Sequence, residues 1–322
     1  MSATAARCAA VLLLAALPLR AQTAASPASP APPAPFTSPA SPAPLAPSEA
    51  DYYAVDHLLP PPGAVLEVGG MDWLSDGRLI VSTRRGQVWI IDHALAGNPA
   101  EARFTLFADG LDEGLGLKVL HETAPDSPPR DAIYVVQRGE LSRLRDEDGD
   151  DRCDVVETVS QDFGISGNYH EFAYGLLADD AGRLVMTLNV GFGDPRWWIG
   201  QSFAPSRGWA LRVDPATGAT TPFASGFRSP AGSGRNAEGD LFITDNQGDW
   251  IPACPIEQLV EGAWYGHPAS LRWTDQFLSA GALPSESVPQ DRPRARPALW
   301  LPYKWARSAG SLVQDTSEGR FG

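Results

Sequence analysis

The chain has 322 residues and carries 39 Asp and Glu against 25 Lys and Arg, a formal net charge of −14. This excess of negative charge repels nucleic-acid backbones and anionic lipid surfaces, and it excludes nucleic-acid binding as a function class. The chain is long enough to bury a large hydrophobic core even if its unusual first 50 residues stay outside that core.

Residues 1–21 have the three parts of a secretory signal peptide. Arg7 supplies the positive charge, residues 9–19 form an apolar run, and Ala21 is a small residue suited to cleavage. The run is shorter than the ~20 apolar residues of a spanning helix, which favours cleavage over an uncleaved anchor and predicts no membrane span in the mature chain. We therefore expect a periplasmic or secreted protein. Residues 22–50 are mostly Ala, Pro and Ser, which predicts a disordered linker.

Residues 51–322 contain a repeated pattern in which a turn residue leads into a short β-branched strand. The turn positions of four instances lie 54, 51 and 57 residues apart, at Gly77, Asp131, Gly182 and Gly239. A second strand follows each instance, and a fifth instance begins at Glu318. This spacing suits a propeller blade of four strands, which takes roughly 40 to 50 residues, with insertions. The sequence thus predicts an all-β propeller truncated to about four and a half blades, and it favours a fragment of a longer chain over an open ring.

Helical periodicity is scarce in this region, and its best candidate for a helix is the short segment 255–260.

The segment 146–157 has the ligand spacing of a twelve-residue calcium loop. Carboxylates fall at positions 1, 3, 5, 9 and 12 and a backbone carbonyl at position 7, supplied by Asp146, Asp148, Asp150, Asp154 and Glu157 and by Arg152. Asp151 stands where the sharp bend usually takes glycine, and strands flank the loop where an EF-hand has helices. The pattern predicts a structural calcium site, and the alternative is a solvated acidic turn.

Polar segments accompany the third and fourth repeats. His170 lies directly before the strands of the third repeat, where a loop at the end of the propeller channel can present a general base. Arg228 has the same position before the fourth repeat, where its guanidinium can hold a carboxylate or a quinone oxygen. Asp245, Asn246 and Gln247 follow a strand of the fourth repeat and bring a carboxylate and amides to the same face. For each segment the alternative is a loop or turn fixed by hydrogen bonds.

In the order of these segments the chain resembles the glucose/sorbosone dehydrogenase family, in particular its membrane-bound dehydrogenase domain branch. The resemblance runs from residue 69 to residue 322 and rests on 111–117, the His170 and Arg228 segments, 245–248 and 261–268. The family's members are six-bladed propellers that bind pyrroloquinoline quinone with calcium, which implies the same fold and cofactors here. It also implies that His170 is the base that removes the proton of a sugar or alcohol hydroxyl, and that Arg228 holds the cofactor. The electrons would then pass to a separate acceptor such as a cytochrome c.

Three segments depart from the family's motifs. The enzymes have Gly-Gly after the histidine, Asn-Pro after the arginine and a Glu-His-Gly-Pro loop, whereas this chain has Glu171, Ser229-Pro230 and 245–248 there. Two functions therefore stay open. One is an exported quinoprotein-like dehydrogenase that oxidises a sugar or alcohol hydroxyl, and it requires His170 and Arg228 to converge on one pocket. The other is a non-catalytic propeller that binds a carbohydrate or a protein partner, and this function does not require the two residues to share a pocket.

Overall fold

Antiparallel sheets of four strands each form the framework of the protein. The computed structural model describes residues 53–124, 127–191, 204–246, 252–275 and 293–318. Within them the first sheet holds β1 (Val68–Trp73), β2 (Leu79–Thr83), β3 (Val88–Asp92) and β4 (Arg103–Ala108), and the second holds β5 (Gly116–Ala124), β6 (Ser127–Val136), β7 (Leu141–Arg145) and β8 (Val155–Ser160). The third holds β9 (Ala173–Ala178), β10 (Leu184–Leu188), β11 (Trp209–Val213) and β12 (Thr220–Ser225), and the fourth holds β13 (Gly232–Arg235), β14 (Leu241–Thr244), β15 (Ala253–Gln258) and β16 (Leu299–Pro302).

Each sheet is one propeller blade whose strands pair in chain order. The prediction of an all-β propeller with four complete blades is therefore confirmed. The six-bladed type stays a prediction. The signal peptide of residues 1–21 and the linker of residues 22–50 lie outside the described residues. The described residues from Val55 onward belong to one compact unit.

The repeated sequence pattern corresponds to the second strand of each blade. Gly77, Gly182 and Gly239 make the turns before β2, β10 and β14 with φ of 86°, 75° and 94°, a backbone region that favours glycine. Asp131 is not a turn residue, because the β5–β6 hairpin is longer and places Asp131 inside β6, opposite His121. The pattern thus located the strand of the second blade correctly but not its turn.

The helix predicted at 255–260 is wrong, since β15 runs through this segment. β15 pairs with β14 on one side and β16 on the other, and buried and half-buried side chains are interspersed along it. Without β15, the backbone groups of β14 would lose a strand partner. The helices of the described residues are the short 3-10 turns Pro99–Glu101 and Pro268–Trp273. None is long and apolar enough to cross a membrane.

The hydrophobic core lies between the faces of successive blades. One cluster joins the first blade to the second, another joins the second to the third, and another joins the third to the fourth. The first strands of the blades pack against each other around the axis, where Gly116 lies so close to the Gly175 carbonyl that a Cβ would not fit. Leu312 donates its backbone N–H to Ser233 of β13 (3.0 Å), so the chain after the fourth blade continues this inner ring.

The two ends of the propeller axis carry different segments. At one end lie the beginnings of the first strand of each blade and the turns that connect the second strand to the third. We call this end the His170 face, because His170 lies directly before β9. The opposite end carries the turns between first and second strands and between third and fourth strands, including the acidic segment 146–154 between β7 and β8.

Candidate functional site

His170 occupies a half-buried position in the loop before β9. Its backbone N–H donates to Asn168 Oδ1 at 3.0 Å. The ring nitrogen Nδ1 lies 3.3 Å from the carbonyl oxygen of Val190 and 3.1 Å from the amide nitrogen of Asn189. The ring also meets Phe172 at an angle of 63°, with 5.5 Å between centroids. Backbone, amide and aromatic contacts together fix the ring.

Two arginines hold the loop that carries His170. Arg138 donates to the carbonyls of Asn168 (2.8 Å) and Tyr169 (3.2 Å). Arg207, almost fully buried, donates to the carbonyl of Phe172 at 3.3 Å, and burial lowers the pKa of its guanidinium to about 10. The carbonyls of Asn168 and Phe172 also accept the backbone N–H groups of Glu171 (3.3 Å) and Asn189 (3.0 Å), so the arginines add side-chain hydrogen bonds to a loop that its own backbone already holds.

Asp245 is buried behind the Arg228 loop and accepts hydrogen bonds from that loop. Its oxygens accept the backbone N–H groups of Arg228 (3.0 Å) and Ser229 (2.7 Å), and 1% of its surface is exposed. Burial raises the pKa of Asp245 to about 6, while the two N–H donors oppose that shift. The residue predicted to bind the cofactor thus positions the loop that precedes β13.

Arg228 and Asn246 meet on the His170 face. The Arg228 Nη1 donates to the Asn246 carbonyl (2.9 Å), and the Asn246 N–H donates to the Ser229 carbonyl (3.0 Å). Arg228 therefore takes part in the loop hydrogen bonding that the sequence left as its alternative role. Gln247, the remaining predicted ligand, lies outside the described residues.

The His170 and Arg228 loops meet at one residue, Val190. The Val190 N–H donates to the Arg228 carbonyl at 3.0 Å, and the Val190 carbonyl faces His170 Nδ1. The third and fourth blades thereby bring the predicted base and the predicted clamp to the same end of the axis.

Sequence reasoning missed a group of side chains beside His170. Glu113, in the loop before β5, accepts from Arg84 Nε (3.1 Å) and from Arg138 Nη1 (3.0 Å). Both guanidinium carbons lie over the Phe172 ring, 5.5 and 5.4 Å from its centroid. Glu113 belongs to the 111–117 segment that carries the family resemblance, which was the available signal. Arg84 follows β2 in an ordinary turn, where the sequence offers no such signal.

The acidic segment at the opposite end brings three of the predicted ligands together. Carboxylate oxygens of Asp146, Asp148 and Asp154 lie within 4.8 Å of one another. The like charges of Asp150 and Asp154 raise the pKa of the exposed Asp148. Asp151 has φ of 65°, so it adopts the bend expected of glycine, and its carboxylate pairs with Arg78 at 2.7 Å.

Of the remaining predicted carboxylate ligands, Asp150 and Glu157 are not in this group. Asp150 accepts the Arg152 N–H in a local turn (2.9 Å), which uses one carboxylate oxygen within the loop. Glu157 lies in β8 and pairs with Arg143 at 2.6 Å. Because β8 continues as a strand, the chain does not curl back as it does in a helical calcium motif, and Glu157 stays with the arginine across the strand pair.

Comparison with known proteins shows the fold. No protein-family model and no curated protein sequence matches the chain. Among solved structures, a protein assigned as an oxidoreductase (glucose dehydrogenase) from Thermus thermophilus is 20% identical, with a TM-score of 0.53 over 74% of this chain and 71% of that one. The PQQ-bound form of aldose sugar dehydrogenase from Streptomyces coelicolor is 17% identical, with a TM-score of 0.53 over 78% of this chain and 72% of that one. The chain therefore shares the propeller fold of these structures.

Proposed function

We propose that this protein is a dehydrogenase that oxidises a hydroxyl group of a sugar or polyol, with pyrroloquinoline quinone as cofactor. The observation that carries the proposal is the fixed His170 ring, which joins the Arg228 loop through Val190 at one end of the axis. The fold that the chain shares with a PQQ-bound aldose sugar dehydrogenase supports it.

His170 is the base in this proposal, and its hydrogen bonds select the tautomer it needs. The carbonyl of Val190 can only accept, so it favours a proton on Nδ1. Asn189 Oδ1 is buried and has no hydrogen-bond partner among the residues that the structure describes, whereas its amide nitrogen faces Nδ1. Exchanging the amide's oxygen and nitrogen gives this oxygen a donor and makes both neighbours of Nδ1 acceptors. Nε2 is then the basic nitrogen that takes the hydroxyl proton.

The residues of the His170 face fit an anionic cofactor in part. Arg228 supplies a cation there, whereas the Phe172 ring next to the base already has the guanidinium groups of Arg84 and Arg138 over it. Asp245 does not fit as a ligand, because its oxygens serve the backbone of the Arg228 loop. When bound, the quinone supplies the hydride acceptor. The protein's own part is to hold the hydroxyl at His170 and to offset negative charge with Arg228.

Calcium at Asp146, Asp148 and Asp154 is a separate part of the proposal. These carboxylates lie at the far end of the axis from His170, so an ion there would stabilise the second blade and take no part in proton transfer. Export through the signal peptide of residues 1–21, and transfer of electrons to an acceptor such as a cytochrome c, complete the proposal.

The test is reconstitution of the full chain with pyrroloquinoline quinone and calcium, followed by dye reduction across a panel of sugars and polyols. We expect cofactor-dependent turnover, and a loss of roughly 100-fold or more in kcat for His170→Gln. The exposed His57 offers the matched control, His57→Gln, which we expect to keep full activity. Binding of a sugar without turnover would favour the non-catalytic propeller, whereas turnover that His170→Gln leaves unchanged would show that His170 is not the base.

A further inference from the structure

Arg84 extends from the first blade across the second blade to the third. It belongs to the turn between β2 and β3, its Nε donates to Glu113 before β5, and its Cζ lies 5.5 Å from the centroid of Phe172 before β9. The first and third blades are not neighbours, and one side chain can contact both of them only close to the propeller axis. The guanidinium of Arg84 therefore lies over the mouth of the channel on the His170 face.

Arg84 and Arg138 both contact Glu113 and Phe172, but they differ in how many of their guanidinium N–H groups have a hydrogen-bond partner. Arg138 uses both terminal nitrogens, on Glu113 and on two loop carbonyls, and 17% of its side chain is exposed. Arg84 uses Nε alone, its terminal nitrogens have no partner among the described residues, and 53% of its side chain is exposed. Arg138 is thus a structural residue, whereas Arg84 presents an open fork of N–H donors.

The open fork lies within one ligand's length of the proposed base. The His170 ring and the Arg84 Cζ each lie 5.5 Å from the Phe172 centroid, so they are at most 11 Å apart. A hydroxyl and a carboxylate on one sugar acid are roughly 5 Å apart, and a hydrogen bond at each end adds about 3 Å. One sugar acid can therefore contact both residues.

The charges around Arg84 favour an anion. Glu113 is a single carboxylate shared by two guanidinium groups, so Arg84, Arg138 and Glu113 together carry one net positive charge. Burial raises the pKa of the neighbouring Tyr174 to about 12, which leaves that phenol neutral. A neutral sugar would leave the terminal donors of Arg84 to water, whereas a carboxylate accepts two of them at once.

We propose that Arg84 forms a carboxylate subsite and that the substrate is a sugar acid, bound with its carboxylate on Arg84 and a hydroxyl on His170. This inference rests on the proposed function. Pyrroloquinoline quinone also carries carboxylates, so the same guanidinium could serve the cofactor, and the experiment has to separate the two ligands.

The test is calorimetric binding of glucuronate and of glucose to the full chain, first without and then with the quinone. We expect glucuronate to bind at least tenfold more tightly than glucose, and Arg84→Gln to abolish this preference. Arg85→Gln is the matched control, because Arg85 is the adjacent residue, 56% of its side chain is exposed, and it pairs with Glu67 instead. We expect that variant to keep the preference, and unchanged circular dichroism to show that both variants fold.

Three results would overturn the inference. Equal binding of both sugars, or binding of neither, removes the subsite. A loss of quinone affinity in Arg84→Gln with the glucuronate preference intact assigns the guanidinium to the cofactor. The turnover panel reports on the proposed function independently, because oxidation of neutral sugars without a preference for acids would sustain the dehydrogenase and contradict the sugar-acid subsite.

Discussion

Glu257 offers the sharpest test of how the fourth blade is built. It lies in β15 with none of its surface exposed, and neither carboxylate oxygen has a hydrogen-bond partner in the described part of the chain. Arg294 approaches it, with Nη2 3.9 Å from Oε1. Burial and then the charge of Asp245 raise the pKa of Glu257 from 4.5 to about 8, while Arg294 opposes that shift. Near neutral pH the folded protein therefore keeps a proton on Glu257 that the unfolded chain releases.

The consequence for stability has a definite sign. Between pH 4.5 and pH 8 the folded state binds more protons at Glu257 than the unfolded state, so the free energy of unfolding falls as the pH rises. One pKa unit corresponds to 1.36 kcal/mol, so this single group destabilises the fold by up to about 3 kcal/mol between pH 5 and pH 7. Glutamine has nearly the same shape and no charge to lose. We expect Glu257→Gln to match the wild-type protein at pH 5 and to exceed it by up to about 3 kcal/mol at pH 7.

The assay is urea unfolding at pH 5, 6, 7 and 8. Glu238→Gln is the matched control, because it makes the same chemical change at an exposed position of the same blade. Its difference from wild type should stay within about 0.5 kcal/mol at every pH. If Glu257→Gln is instead less stable than wild type at pH 7, with a parallel pH profile, Glu257 is ionised in the fold and Arg294 compensates its charge.

Three further predictions concern other parts of the molecule. Calcium should raise the melting temperature of the wild-type protein and of Glu157→Gln, but not of the double variant Asp146→Asn with Asp154→Asn; a uniform response in scanning calorimetry would remove the site. Asn189→Ala should lower kcat of the reconstituted enzyme about tenfold or more with little change in KM, because the His170 ring loses its orientation. An unchanged kcat and pH–rate profile would show that Asn189 does not orient the ring. Arg78→Gln should cost about 1 kcal/mol in urea unfolding, because it breaks a half-exposed pair between the first and second blades, and no loss would show that solvent screens the pair fully.

The strands were predictable because their signals are local. A glycine turn followed by a short run of apolar and β-branched residues marks β2, β10 and β14, and their spacing along the chain gives the blade. The position of His170 and Arg228 at one end then follows from the connectivity of an antiparallel blade. The 255–260 segment failed because its strand character comes from pairing with β14 and β16, not from its own periodicity.

The chemistry of the site was less predictable because it depends on contacts between distant residues. Asp245 looked like a ligand, yet its carboxylate accepts the N–H groups of a loop 16 and 17 residues earlier. Glu157 has the right spacing for calcium, but Arg143 on the paired strand competes for it. Arg84 of the first blade reaches Phe172 before the third blade, and no spacing in the sequence reports that contact.

The arrangement at Val190 also limits how this propeller can change over time. One peptide unit on each side of a single residue sets the spacing between the histidine ring and the arginine loop, so that spacing does not depend on the side chain at position 190. Point substitutions there should be tolerated as long as they fit the buried space. An insertion or deletion next to Val190 would displace the His170 ring and the Arg228 loop together. We therefore expect the length of this short segment to be more strongly constrained than the identity of its side chains.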